Sequence, residues 1–120
     1  MFKINPVNAV DSYKTSHHKM YAEGTEFVYS NFTPRSDRLF KANPKFYDGT
    51  IIFFGLQGAL KDMHEIWQDE FFAKPKEEVC AEYARRLAPF CGGMEISVSH
   101  FEDLHAVGYL PILVRGLKEG

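Results

Sequence analysis

Residues 50–91 read TIIFFGLQGALKDMHEIWQDEFFAKPKEEVCAEYARRLAPFC, and the spacing of their apolar side chains sets the helical part of the fold. Phe53, Leu56, Leu60, Met63, Ile66, Trp67 and Phe71 recur at steps of three and four, the period that puts side chains on one helical face. This stripe predicts a helix over 50–72. Pro75 suits the first turn of a second helix, because its fixed φ fits there and its missing N–H would have no partner anyway. Val79, Tyr83, Leu87 and Phe90 repeat the stripe, and Gly92-Gly93 closes it with residues free to take positive φ. Within the stretch, His64-Glu65 opens like the zinc-protease helix motif, but Gln68 stands where the second histidine must be. Gly55 and Gly58 lack the spacing and the Lys-Ser/Thr ending of a phosphate loop, so they are read as allowing close helix packing.

Outward from these helices the pattern changes period. Residues 25–32 (TEFVYSNF) alternate and are rich in strand formers, which predicts a strand. Residues 33–46 carry two prolines and polar turn residues and read as a loop. Arg35, Arg38, Lys41 and Lys45 face the single acid Asp37 there, making it the most basic stretch of the chain. Before the strand, residues 4–10 read as an extended lead-in. Asp11 or Ser12 can cap a short helix running to Tyr21, since their oxygens accept from unpaired first-turn amides. Toward the C-terminus, Ser99 and Glu102 have the spacing of a capping box for a helix that Gly108 closes. Leu110, Ile112 and Val114 then alternate with their neighbours as a strand would. A strand there wants a partner. Either it pairs with 25–32, or the chain is a fragment of something longer.

Composition narrows the class. Apolar residues make up 45% and charged residues 25%, a globular balance over a single-domain length. The 11 Phe and 6 Tyr are more than so small a core requires, so part of this aromatic surface is expected at an interface. A net charge of -2 provides no basic field for non-specific nucleic-acid binding, which leaves the 35–45 loop poorly supported in that role. No secretory signal opens the chain, and the apolar run 51–54 is too short to span a bilayer, so a cytoplasmic protein is expected. Cys80 and Cys91 in one helix would lie roughly 16 Å apart, beyond disulfide reach, and read as small buried hydrophobes. His100 and His105 fall on different helical faces with no cysteine cluster, and supply no zinc site.

Two stretches could carry chemistry. In DSYKTSH at 11–17, Tyr13 near a helix start could offer its ring to a planar base. In the basic loop, the planar fork of Arg35 or Arg38 matches phosphate oxygens. On local pattern alone, an ordinary cap with a half-buried tyrosine and a solvated loop with scattered charges are the better explanations of the two. No Ser-His-Asp arrangement follows from sequence order, because such sites are defined by geometry.

Taken together, DSYKTSHHKMY at 11–21, EFVYSNFTPR at 26–35, FFGLQGAL at 53–60 and GYLPILVRGLKEG at 108–120 resemble the opening of the nicotinamide phosphoribosyltransferase family. The blocks come in that family's order and cover nearly the whole chain, DSYK-x-SH being the most specific. The resemblance implies an α+β fold over 1–120: helices packed on a small, mostly antiparallel sheet, without the α/β barrel that follows in family members. It implies a reaction in which the nicotinamide nitrogen displaces pyrophosphate from 5-phosphoribosyl-1-pyrophosphate, giving nicotinamide mononucleotide for NAD salvage. By the same resemblance Tyr13 stacks on the pyridine ring, Arg35 contacts the phosphates of the ribose donor, and both reach a partner subunit's site across a head-to-tail homodimer. Asp11 and Ser12 support Tyr13, while Lys14, His17 and Arg38 take no assigned role.

In the family, Mg²⁺ acts on the donor pyrophosphate, and a barrel histidine is linked to ATP use. The barrel residues are absent here, so the chain alone is expected to be inactive, with no catalytic residue of its own. Two alternatives stay open. One is a non-catalytic interaction or assembly module derived from this domain. The other is the N-terminal part of a nicotinate phosphoribosyltransferase, since the residues that separate acid from amide lie mostly in the barrel.

Overall fold

The computed structural model describes residues 4–42, 45 and 47–119, apart from the side chains of residues 39 and 40. Residues 43, 44 and 46 of the predicted 33–46 loop lie outside the described residues. Among the described residues four α-helices follow one another: α1 (Arg38–Lys41), a short helix inside the stretch read as a loop, α2 (Leu56–Trp67), α3 (Lys76–Leu87) and α4 (Ser99–Val107). Short 3₁₀ helices cover Pro6–Asn8, Ser12–Lys19 and Ala88–Phe90, and a π-helical turn covers Gln68–Phe72.

The predicted stripe of the first long helix is its inward face. Phe53, Leu56, Leu60, Met63, Ile66 and Trp67 are all half-buried, while the residues between them are exposed. The helix starts at Leu56 and not at 50, because Gly55 takes φ 79°, a left-handed conformation that cannot continue a right-handed helix. At the other end α2 widens into the π turn, where the Ala73 N–H donates to the Gln68 carbonyl at 2.9 Å. The turn delivers Phe71 into the centre of the molecule with none of its surface exposed.

α3 is the hub. Val79, Cys80 and Tyr83 are buried and Leu87 is half-buried, as its stripe predicts. Pro75 sits one position before the helix, as its N-cap. Glu77 and Glu78 in the first turn and Arg85 and Arg86 in the last complement the helix dipole. Phe90, expected on the same stripe, falls in the 3₁₀ turn after α3 and is exposed. Gly92 and Gly93 then take φ of 58° and 82°. The capping box of α4 does not form: Val98 is the N-cap, and the Ser99 hydroxyl lies 3.2 Å from that of Ser97. Gly108 ends α4 at φ 81°, as predicted.

Val7, Phe71, Val79, Cys80 and Tyr83 form the core, bordered by Trp67, Phe72, Leu87, Ile96, Val98, Phe101 and Leu104. Phe71 meets Trp67, Phe72 and Phe101 edge-on, with ring centroids 5.2, 5.0 and 6.4 Å away. His105 adds a fourth edge at 5.3 Å and places its Nε2 2.9 Å from the Lys74 carbonyl, joining α4 to the turn before α3.

The expected sheet is absent. Among the described residues no strand occurs, so the α+β reading of helices on an antiparallel sheet is replaced by a helical core with extended flanking segments. Residues 25–32 and 110–115 have the composition of strands but no partner, and a strand is defined by its inter-strand hydrogen bonds. Phe27 is 89% and Phe32 fully exposed. Gly116 and Glu119, beyond the second of these segments, lie against the start of α2. The Leu56 N–H donates to Glu119 Oε1 at 3.1 Å, and Gly116 backs onto Leu56 and Phe53. The unpaired segments leave 10397 Å² exposed, against about 6,600 Å² for a typical folded monomer of this mass. The radius of gyration is 18.0 Å, where a globule of this length would have about 14 Å.

Candidate functional site

Tyr13 lies in the first turn of the Ser12–Lys19 helix with 67% of its surface exposed. Asp11 occupies the N-cap in extended backbone but makes no side-chain cap hydrogen bond. Its carboxylate reaches Lys14 Nζ at 3.2 Å instead, and that ammonium stands 5.6 Å from the centre of the Tyr13 ring. The hydrogen bond to Asp11, reinforced by Tyr13, holds the Lys14 ammonium above its usual value. Asp11 is thus joined to the tyrosine through a lysine whose position in the sequence had suggested no role.

The rest of the helix is locally bonded. The Thr15 hydroxyl donates to the Ser12 carbonyl at 2.6 Å and the Ser16 hydroxyl to the Tyr13 carbonyl at 3.4 Å. His17 meets the Tyr13 ring edge-on at 6.2 Å. Ser12 and Thr15 also line a cleft of about 410 Å³ whose opposite wall carries Tyr83 and Arg86 of α3. Further along, His18 lies flat against His100 of α4, a pairing of residues far apart in sequence that no local pattern signals.

Arg35 sits on the exposed segment before α1. Among the described residues no hydrogen bond, ion pair or ring contact joins it to Tyr13. Asp37 is occupied locally: it accepts from Lys41 Nζ at 3.0 Å and from the Tyr47 hydroxyl at 3.1 Å. The Lys41 hydrogen bond is the main reason its carboxyl is held below the usual range. The basic character of the loop therefore rests on Arg35, Arg38 and Lys45, all exposed. Among the described residues no three His, Cys, Asp or Glu side chains converge to hold a metal ion. No helix among them is long and apolar enough to cross a membrane.

Residues 5–83, which hold Tyr13, Arg35, α2 and most of α3, match the family described as nicotinamide phosphoribosyltransferase, N-terminal domain. The chain belongs to that family. It is also similar to the nicotinamide phosphoribosyltransferase of Acinetobacter baylyi, with 48% identity over 120 residues that cover 99% of this chain and 24% of the relative. The chain thus spans about a quarter of the length of the curated relative it matches. No solved structure matches it. The family match includes the whole Ser12–Lys19 helix and ends within α3, so α4 and its His100 lie beyond it.

Proposed function

We propose that this chain is the N-terminal portion of a cytoplasmic enzyme that forms nicotinamide mononucleotide and pyrophosphate from nicotinamide and 5-phosphoribosyl-1-pyrophosphate. The ring nitrogen of the base forms a bond to C1 of the ribose as the bond from C1 to pyrophosphate breaks, with positive charge developing on the ribose. Tyr13 presents its ring face to the pyridine and Arg35 its guanidinium to the donor phosphates. Both act across the interface of a head-to-tail homodimer, in a pocket completed by the remainder of the enzyme.

The observation that carries this reading is the exposed Tyr13 ring at the start of a helix, in a chain of this family. An aromatic face left open on its own fold is available to a ligand held elsewhere, and stacking asks for orientation more than for many contacts. The described residues offer no ligand set for a resident Mg²⁺. On the family resemblance, and not on that absence, we assign Mg²⁺ to the donor pyrophosphate and any ATP use to the part of the relatives that this chain does not span.

The test is reconstitution. This chain, mixed with the separately made remainder of the enzyme, should yield nicotinamide mononucleotide when neither part does so alone. In the reconstituted enzyme Tyr13→Ala should weaken nicotinamide binding about tenfold, the scale of one base–aromatic stack. Arg35→Ala should raise KM for the ribose donor and leave nicotinamide affinity in place. An associated, folded mixture with no product points to a non-catalytic module, and turnover of nicotinate in preference to nicotinamide points to the sister family.

A further inference from the structure

The Ser12–Lys19 helix places no buried residue in the core. Hydrophobic burial therefore does little to hold it, yet Tyr13 can serve a binding site only from a steady base. Thr15 and His18 are its half-buried side chains. Thr15 lines the cleft against Tyr83. His18 lies on His100 of α4 with ring centroids 3.9 Å apart and planes 13° from parallel. Both rings of this stack are fixed. His18 Nδ1 is 3.0 Å from the Thr15 carbonyl, and a carbonyl can only accept, so that nitrogen carries hydrogen and pins the ring to its own helix. His100 lies tilted over Phe101 at 4.1 Å and perpendicular to Tyr83 at 6.2 Å, and its Nδ1 is buried without a partner.

We propose that His18 and His100 are positioning residues for Tyr13, their stacked rings clasping the Ser12–Lys19 helix to α4 and separating when both are protonated. The role in substrate binding rests on the reading of Tyr13 above. Neutral imidazoles stack, whereas two imidazolium rings at this separation repel. The charges around the stack come from three sides. Lys19, on the helix itself, works against protonation of His100, and Asp103 on α4 works for it. Glu95 and Cys91 share a cleft with His18, and the phenol of Tyr83 on α3 faces His100 with its acidity weakened by burial. Burial first, and the nearby His18 second, hold His100 below the ordinary imidazole value of 6.5. The folded chain then binds fewer protons at His100 than the unfolded chain. The clasp is accordingly present above that ordinary value and is lost as pH falls through the lower, folded one.

Amide hydrogen exchange on the 120-residue chain, read together with the histidine ring signals from about pH 5 to about pH 8, tests the clasp. Protection of amides 12–19 relative to α3 should fall about fivefold toward the acid end of that range, the order of effect one aromatic pair supports. His100→Ala should remove that protection at every pH. His100→Phe can stack but cannot take a proton, so it should restore protection and abolish the acid step. The clasp is refuted if His100→Ala leaves amides 12–19 protected while α3 stays native, or if His100→Phe keeps the acid step. Should His100→Ala fail to fold, the wild-type pH series decides, and protection unchanged over a range in which the His100 ring signal moves refutes it. In the reconstituted enzyme, His100→Ala should raise the nicotinamide KM, keep kcat, and add nothing to Tyr13→Ala. Additive effects would overturn the coupling. An unchanged KM for Tyr13→Ala would instead sink the substrate reading and leave the clasp to its exchange data.

Discussion

The side-chain amide of Asn5 donates to the backbone carbonyl of Val79 at 3.1 Å, tying the start of the chain to the middle of α3. The same nitrogen reaches Glu82 Oε2 at 3.3 Å, while Asn5 Oδ1 accepts from the Val7 N–H at 3.4 Å. Asn5 is buried, so these partners replace water that cannot reach it. Its contacts also bring Val7 into the core beside Phe71 and Val79.

Asn5→Ala should therefore cost about 2 kcal/mol, because it removes the hydrogen bonds and leaves a small void. Urea unfolding followed by circular dichroism should show a midpoint lower by about 1 M. An unchanged midpoint would mean that the lead-in is not held by this residue.

Phe71→Ala should be far more damaging. Its ring is fully buried and meets four others, and such truncations cost about 3–5 kcal/mol, a large share of what a small domain has. Phe27→Ala, at 89% exposure, should change stability by less than about 0.5 kcal/mol. Thermal melts of the two variants side by side provide the comparison.

Two glycines should respond with opposite sign to alanine. Gly58 lies inside α2 with open space where a Cβ would go, so Gly58→Ala should stabilise by about 0.4–1 kcal/mol through helix propensity and a less free unfolded chain. The expectation that Gly55 and Gly58 admit a close neighbour is not met, since no described residue from beyond the adjacent chain comes within 4 Å of where a Cβ would stand at either one. At Gly116 a Cβ would run into Leu56 Cδ2 and come within 3.1 Å of the Phe53 ring. Gly116→Ala should lift residues 110–119 off α2, seen as faster exchange of the Leu56 amide that Glu119 accepts from.

The two thiols should react unequally. Cys80 is only 4% exposed, and burial is the main reason its thiol is pushed above the ordinary value, so little reactive thiolate forms near neutral pH. Cys91 is half-buried and also free. Iodoacetamide followed by mass spectrometry should label Cys91 first and Cys80 only in denaturant. Equal rates in the native chain would show that the α3 core opens readily.

The helices were legible because their apolar positions carry a periodicity that packing then uses. The half-buried face of α2 is the very stripe from Phe53 to Trp67, and Val79, Tyr83 and Leu87 of α3 point inward as spaced. Where the reading slipped, a backbone or long-range contact outweighed the local pattern. Gly55 delayed α2, Val98 displaced Ser99 as N-cap, and Asp11 bonded Lys14 in place of the helix amides. Tyr13 and Arg35 are proposed as site residues through resemblance, whereas the stacking of His18 on His100 was missed because nothing in either neighbourhood announces a partner so distant in the chain.

By itself, the sequence determined where the three longer α-helices lie, where left-handed glycines such as Gly108 would stop them, and which family's order of blocks it carries. These are local properties, set by side-chain period and by the φ range each residue tolerates. Only the tertiary structure decided that residues 25–32 and 110–115 have no partner strand among the described residues, that Asn5 reaches Val79, and that His18 stacks on His100. Strand propensity prepares a backbone for pairing but cannot supply the second backbone. Contacts across such sequence separations depend on how several helices pack at once, which no local run of residues encodes.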